Sequence, residues 1–234
     1  MSAGNTEISH DFPGFFKVYK DDRIERYWNS DFVAAGVDAE TGVQSKDVVI
    51  SPATNVKAPT QANVIAMSID YRLAPEHKLP IAYDDSWAGL QWVAKHSDGK
   101  GPESWINEHA DLGRVILAGE SAGGTLAHYC AVQAGAAGLA GVAIKRLLIV
   151  HPYFGVDPNV LKFKCDKVLV CVAEKDTLKD RGVAYYEAMK KSGWGGTVDF
   201  YESKGEDHCF HFFNPRNENL GLLMNKIVDF IQLN

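Results

Sequence analysis

Val115-Ile116-Leu117-Ala118-Gly119-Glu120-Ser121-Ala122-Gly123 is the stretch on which the reading of this chain turns. Its apolar start predicts a strand, and Thr125 to Gln133 behind it has the pattern of a helix. A serine with small residues two before and two after it, set where a strand turns sharply into a helix, is held exposed at the end of a sheet. Ser121 is therefore the candidate nucleophile. A plain turn serine is the bland alternative, and the strand-then-helix setting argues against it.

Upstream, Phe15 to Tyr19 and Arg23 to Tyr27 alternate apolar and charged residues around Asp21-Asp22, which predicts a hairpin. Lys46 to Pro52 reads as a short strand. Asn63 to Tyr71 reads as a second one, apolar enough to be buried on both faces of a parallel sheet. Pro80 then opens a helix whose Tyr83, Trp87, Leu90 and Ala94 recur at helical spacing. A short helix or turn over Trp105 to Asp111 precedes the central strand.

Downstream of Ser121, the helix is expected to stop in the glycine-rich stretch from Gly135, the first glycine suiting a left-handed cap. Strands follow at Arg146 to Pro152, Lys167 to Ala173 and Thr197 to Tyr201. A helix through Ala184 and Met189 and a last one from about Asn217 to Gln232 complete the pattern. Strands alternating with helices predict an α/β fold, a mostly parallel sheet covered on both faces. At 234 residues without repeats, one domain accounts for the whole chain.

Composition excludes some partners. An apolar fraction of 46% and a charged fraction of 23% are those of a soluble globular protein. A net charge of −6 leaves no basic face for nucleic acid or an anionic membrane. Met1 to Glu7 lacks the basic and apolar regions of a secretory signal, and no apolar run is long enough for a membrane span. Cys130, Cys165, Cys171 and Cys209 have neither pairing nor metal-ligand spacing, and no Asn-x-Ser/Thr acceptor occurs. A cytoplasmic protein with reduced thiols is expected.

A serine hydroxyl needs a base to take its proton, and the base needs an acid to fix its tautomer. In this topology those partners belong at the carboxyl ends of later strands. Asp176 follows the strand ending near Ala173, and His208 follows the one ending near Tyr201. Asp176 has a bland reading as a helix N-cap; Glu174 and Asp180 are its rivals as the acid. His211, among Phe210, Phe212 and Phe213, reads as packing, whereas Glu206 and Asp207 mark His208 as a polar loop position. His208-Cys209-Phe210-His211 has no second ligand pair at suitable spacing, so neither metal nor cofactor is expected.

GESAG, Asp70-Tyr71-Arg72-Leu73-Ala74-Pro75-Glu76-His77, the Asp176 loop and Gly205-Glu206-Asp207-His208-Cys209-Phe210 together resemble the plant carboxylesterases of the hormone-sensitive-lipase group, in the α/β-hydrolase superfamily. Phe16 to Lys20 and Arg23 to Arg26 resemble that family's N-terminal segment. The resemblance covers almost the whole chain and implies hydrolysis of a small-molecule carboxylic ester through an acyl-enzyme. Ser121 would be nucleophile, His208 base then acid, and Asp176 its orienter. The Ala122 N–H would serve the oxyanion hole. It also implies residues 46–234 as the hydrolase core and 1–45 as an N-terminal segment contributing to the lid. Oligomeric state and substrate-binding residues stay open.

Two departures from the family stand out. Relatives carry a further central strand ending in His-Gly-Gly-Gly, then a helix, where this chain has only the eleven residues from Pro52 to Ala62. That loop supplies oxyanion donors, and removing one donor typically costs about 100- to 1,000-fold in turnover. Impaired activity is expected, with two strand edges left open unless the sheet closes up. A second shortening, between His151-Pro152 and Asp166, falls in the lid. The alternatives are a receptor-like binding protein, disfavoured because its relatives lack the histidine present here as His208; an isoflavanone dehydratase-like enzyme, disfavoured by Ser rather than Thr in the elbow; and an incomplete splice or gene-model product.

Overall fold

The computed structural model describes residues 7–13, 16–27, 34–39, 43–48, 64–154, 164–213 and 216–232. Its contacts group residues 1–35 and 36–234 into two compact units. In the first, β1 (Ile8–Phe12), β2 (Phe16–Tyr19) and β3 (Ile24–Arg26) form an antiparallel sheet in that order. The hairpin expected around Asp21-Asp22 is β2–β3, closed by an Asp22 amide bond to the Tyr19 carbonyl, with Asp22 at φ 61°. β1, which pairs with β2, has no strong sequence signal because all five of its residues are exposed.

The second unit contains α1 (Ile81–Ala94), α2 (Ser104–His109), β4 (Val115–Glu120), α3 (Ala122–Ala137), β5 (Ile144–Val150), β6 (Lys167–Ala173), α4 (Lys179–Lys191), β7 (Thr197–Ser203), α5 (Phe210–Phe213) and α6 (Glu218–Gln232). Its sheet is wholly parallel, in the order β4-β5-β6-β7. Alternation along the central strands separates two cores. Leu147, Ile149, Val168, Val170 and Val172 meet Leu90 of α1, Ala127 and Ala131 of α3, and Tyr185 and Met189 of α4. Leu148, Val150, Leu169, Cys171 and Ala173 meet Phe210, Leu223 and Phe230 on the other face. Val168 through Ala173 are wholly buried, and each such apolar side chain contributes roughly 1.5–3 kcal/mol relative to exposure. Helices on both faces of a parallel sheet is the α/β architecture expected.

Several boundaries differ from expectation for local reasons. α3 runs through Gly135 and stops at Gly138, the glycine that holds a positive φ of 77°. Among the described residues, neither 46–48 nor 64–71 forms a strand ladder, and residues 49–63 lie outside the description. Arg72 anchors the segment 64–71, donating to the Asp85 carboxylate of α1 from its backbone N, Nε and Nη2 at 3.0, 2.9 and 2.7 Å.

A cavity of about 1240 Å³ is lined by both Val64 to Ile69 and Val115 to Ala118, with Gly123 and Leu126 of α3 also in its wall. β4 pairs with β5 and stands at the edge of the sheet. Among the described residues, no strand pairs with the outer edge of β4. Residues 64–69 and β4 thus line one cavity.

Candidate active site

Ser121 sits between β4 and α3 at φ 52°, ψ −119°, a backbone conformation that is strained for any residue with a side chain. The sheet holds it there. Its N–H donates to the Val150 carbonyl at 2.9 Å, and its own carbonyl accepts from Tyr153 and Gly124, each at 3.1 Å. Gly119 is required by the turn, because a Cβ there would lie 2.0 Å from the Gly123 carbonyl oxygen. Gly123 is not, since a Cβ added to it meets nothing within 4 Å.

The loops after β6 and β7 are tied to each other. Glu174 N–H donates to Ser203 O at 3.0 Å, Lys175 N–H to Glu206 O at 2.8 Å, and the Glu174 carboxylate accepts the Gly205 N–H at 2.8 Å. Glu174, a rival for the acid's role, thus shapes the loop that carries His208. Asp180, the other rival, lies exposed in α4. Asp176 is buried, with Oδ1 accepting the Leu178 N–H at 2.7 Å and Oδ2 facing His208 Nδ1 at 2.7 Å. Asp176 is not the helix cap, which is Leu178 without a side-chain cap bond; its Oδ1 closes a turn before α4, while Oδ2 faces the His208 ring. On the other side of the ring, His208 Nε2 lies 3.0 Å from Ser121 Oγ. Ser121, His208 and Asp176, predicted from three distant stretches, come together in one hydrogen-bonded line. Ala122 is the first residue of α3, where N–H groups have no intrahelical partner.

Sequence reasoning missed the layer behind this line. His211 is 13% exposed, and its Nε2 lies 3.0 Å from Glu120 Oε2, so it bonds as well as packs. His151, wholly buried at φ 44°, sets Nδ1 3.3 Å from Glu120 Oε1 and 3.2 Å from the Cys209 amide nitrogen. That nitrogen serves one partner at a time, accepting from the amide or donating to the carboxylate. Glu120 is held down to about 2: its burial opposes ionisation, but the hydrogen bonds from His151 and His211 outweigh it. The Cys209 thiol is pushed up by burial and by the Glu120 charge beside it. The pattern His-x-x-His carried half of this cluster; Glu120 and His151 reach it only through the fold.

Ligating atoms of Glu120, His151 and His211 lie within 4.8 Å of one another, as do those of His151, His208 and Cys209. The nitrogens a cation would use on Glu120's side already lie within hydrogen-bonding distance of its carboxylate. Among the described residues, no helix is long and apolar enough to cross a membrane.

The chain matches the family model described as alpha/beta hydrolase fold over residues 53–162 and 149–212. It is 32% identical to probable carboxylesterase 5 of Arabidopsis thaliana, over 97% of this chain and 99% of that protein. That alignment spans 315 positions against 234 residues, so at least 81 positions are residues the relative has and this chain lacks. It is also 32% identical to a 2-hydroxyisoflavanone dehydratase of Glycyrrhiza echinata, over 96% of each. Among solved structures, an esterase of Pyrobaculum calidifontis superposes with a TM-score of 0.60 at 26% identity, over 73% of this chain and 67% of that one. A parallel sheet with helices on both faces, a serine strained at its central turn and relatives of this identity lead to one assignment: the chain belongs to the α/β-hydrolase fold family, in its plant carboxylesterase group.

Proposed function

We propose that this protein hydrolyses small carboxylic esters through a Ser121–His208–Asp176 triad and an acyl-enzyme, with turnover impaired by the loss of the oxyanion loop. The carrying observation is His208, with Nδ1 2.7 Å from buried Asp176 and Nε2 3.0 Å from Ser121 Oγ. The Asp176 carboxylate accepts Nδ1–H and leaves the Nε2 lone pair facing the serine hydroxyl. Oγ attacks the ester carbonyl as its proton passes to Nε2, and the resulting imidazolium is stabilised by Asp176. His208 then protonates the departing alcohol and activates water against the acyl-enzyme. The oxyanion receives the Ala122 N–H at the start of α3. Donors from the opposite wall belong to the segment this chain lacks, so formation and hydrolysis of the acyl-enzyme both slow.

Four free thiols, three of them buried, suit the reducing cytoplasm in which we place the protein.

The test is covalent labelling by a fluorophosphonate, read by intact mass, beside turnover of p-nitrophenyl acetate. Labelling is expected in the wild type and lost in Ser121→Ala and His208→Ala, with turnover well below that of a full-length relative. A folded wild-type chain that takes up no probe refutes the catalytic reading. The dehydratase relative at 32% identity supports a second reading, elimination of water in the same site. Product mass separates the two, gain of water indicating hydrolysis and loss indicating elimination.

A further inference from the structure

The groups behind the triad converge on one carboxylate. Glu120 is the last residue of β4 and the immediate neighbour of Ser121. His208 is followed by Cys209, at φ 55°, and then by α5, which carries His211. Glu120 Oε2 accepts from His211 Nε2 at 3.0 Å, and Oε1 lies 3.3 Å from His151 Nδ1. His151 stands between, its Nδ1 within reach of both the Glu120 carboxylate and the Cys209 N–H. The strand end that fixes the nucleophile and the loop that carries the base are thus joined through one side chain.

The loop is tied down on either side of His208, by Gly205 and Glu206 before it and by buried Phe210 after it, but the ring itself is less held. His208 is nearly one-third exposed, and its backbone N–H goes to the exposed Asp207 carboxylate. Asp176 fixes one ring nitrogen but leaves the ring free to pivot about that bond. The neighbours that oppose a pivot are the His151 ring, whose centroid is 5.7 Å from that of His208, and the Cys209–His211 turn. Both are held from Glu120.

We propose that Glu120 is a positioning residue: by gripping His211, three residues after His208, and His151, whose ring lies beside the His208 ring, it sets the imidazole against Ser121. This rests on the triad reading above. A carboxylate suits the role because it accepts several donors at once, whereas an amide must turn an N–H toward one of them. Misplacing a catalytic group by about 1 Å costs on the order of 100-fold.

The test compares Glu120→Ala, Glu120→Gln, His211→Ala and the Glu120→Ala/His211→Ala double variant. The rate constant for fluorophosphonate labelling of Ser121 is expected to fall about 10- to 100-fold in Glu120→Ala and less in Glu120→Gln, with half-saturating probe concentration changed under about threefold. The double variant is expected to match the worse single one, because both remove the same link. Crystal structures of the variants supply a readout independent of turnover, with His208 Nε2 expected to lie beyond hydrogen-bonding distance of Ser121 Oγ in Glu120→Ala. A wild-type labelling rate in folded Glu120→Ala, or an unmoved His208, overturns the proposal. Should Glu120→Ala fail to fold, Glu120→Gln decides by the same readouts. Should the wild type take up no probe, the triad reading falls and the crystallographic arm alone decides Glu120. Labelling that EDTA abolishes and Zn²⁺ restores would instead assign Glu120, His151 and His211 to a cation and overturn the positioning role.

Discussion

Two glycines in GESAGG, four residues apart, are expected to respond in opposite directions to the same methyl group. At Gly119 an added Cβ would lie 2.0 Å from Gly123 O, 2.2 Å from Gly123 C and 2.7 Å from Gly124 N. All three are backbone atoms at the start of α3 and have no rotamer to relieve the contact. Overpacking costs typically about 1–3 kcal/mol, and the upper end applies here. For a chain of this length that is a fall of roughly 6–12 °C in Tm. At Gly123 the added Cβ meets nothing within 4 Å, because the residue faces the cavity beside β4. Its φ is not positive, and alanine is the better helix former by up to about 1 kcal/mol, a rise of roughly 2–4 °C. Differential scanning calorimetry of Gly119→Ala and Gly123→Ala reads both. A fall in Gly123→Ala as large as that in Gly119→Ala would show the space beside Ser121 to be filled, and the argument for an open slot and a missing oxyanion wall would fail with it.

Acid stability supplies another check. His128, buried against Tyr185 with Nδ1 3.0 Å from the Tyr185 hydroxyl, is lowered by burial from 6.5 to about 4. The unfolded chain protonates this site first as pH drops, so stability present above 6.5 is lost between 6.5 and about 4, on the order of 3 kcal/mol. His128→Gln should flatten urea-derived stability over that window. Glu120, lowered from 4.5 to about 2, contributes stability that is full above 4.5 and lost as pH falls toward 2, so Glu120→Gln should be the less acid-sensitive below 4.5. Asp85→Asn breaks the triple grip on Arg72 and should lower stability by about 1–3 kcal/mol, read by denaturant midpoint. An unchanged midpoint would mean that residues 64–71 are held in place without it.

What was legible in the sequence is what local chemistry dictates. The continuous apolar runs of β5 and β6 can only be central strands, and GESAG after an apolar strand can only be placed on a strained turn. Asp176 and His208 were legible because each follows a strand end by a few residues. Lys46 to Pro52 and Asn63 to Tyr71 looked no different from those strands. A ladder, however, needs a partner at hydrogen-bonding distance, and among the described residues none pairs with 64–71. Propensity states what a segment is suited to; the sheet order decides whether it is used. The Glu120 cluster was hidden for a different reason. His211 sits among three phenylalanines, a context that signals packing, and its acceptor lies ninety-one residues away at the end of β4.

On the proposed reading, an aligned Ser121–His208–Asp176 line and a depleted oxyanion site share one structural cause. Ser121, Asp176 and His208 follow β4, β6 and β7, and all three strands belong to the one parallel sheet. Among the described residues, bonds that hold these positions run inside that sheet or between its end loops: Ser121 to Val150, Glu174 to Ser203 and Lys175 to Glu206. The segment expected from the family resemblance would lie on the opposite side of β4, away from these bonds, so its loss would leave the attacking groups in register while removing the wall that faces them. Attack and turnover should separate accordingly. A phosphonate, which reacts once and needs no second passage through a tetrahedral oxyanion, should mark Ser121 far more readily than the enzyme cycles an ester, which must cross two such states.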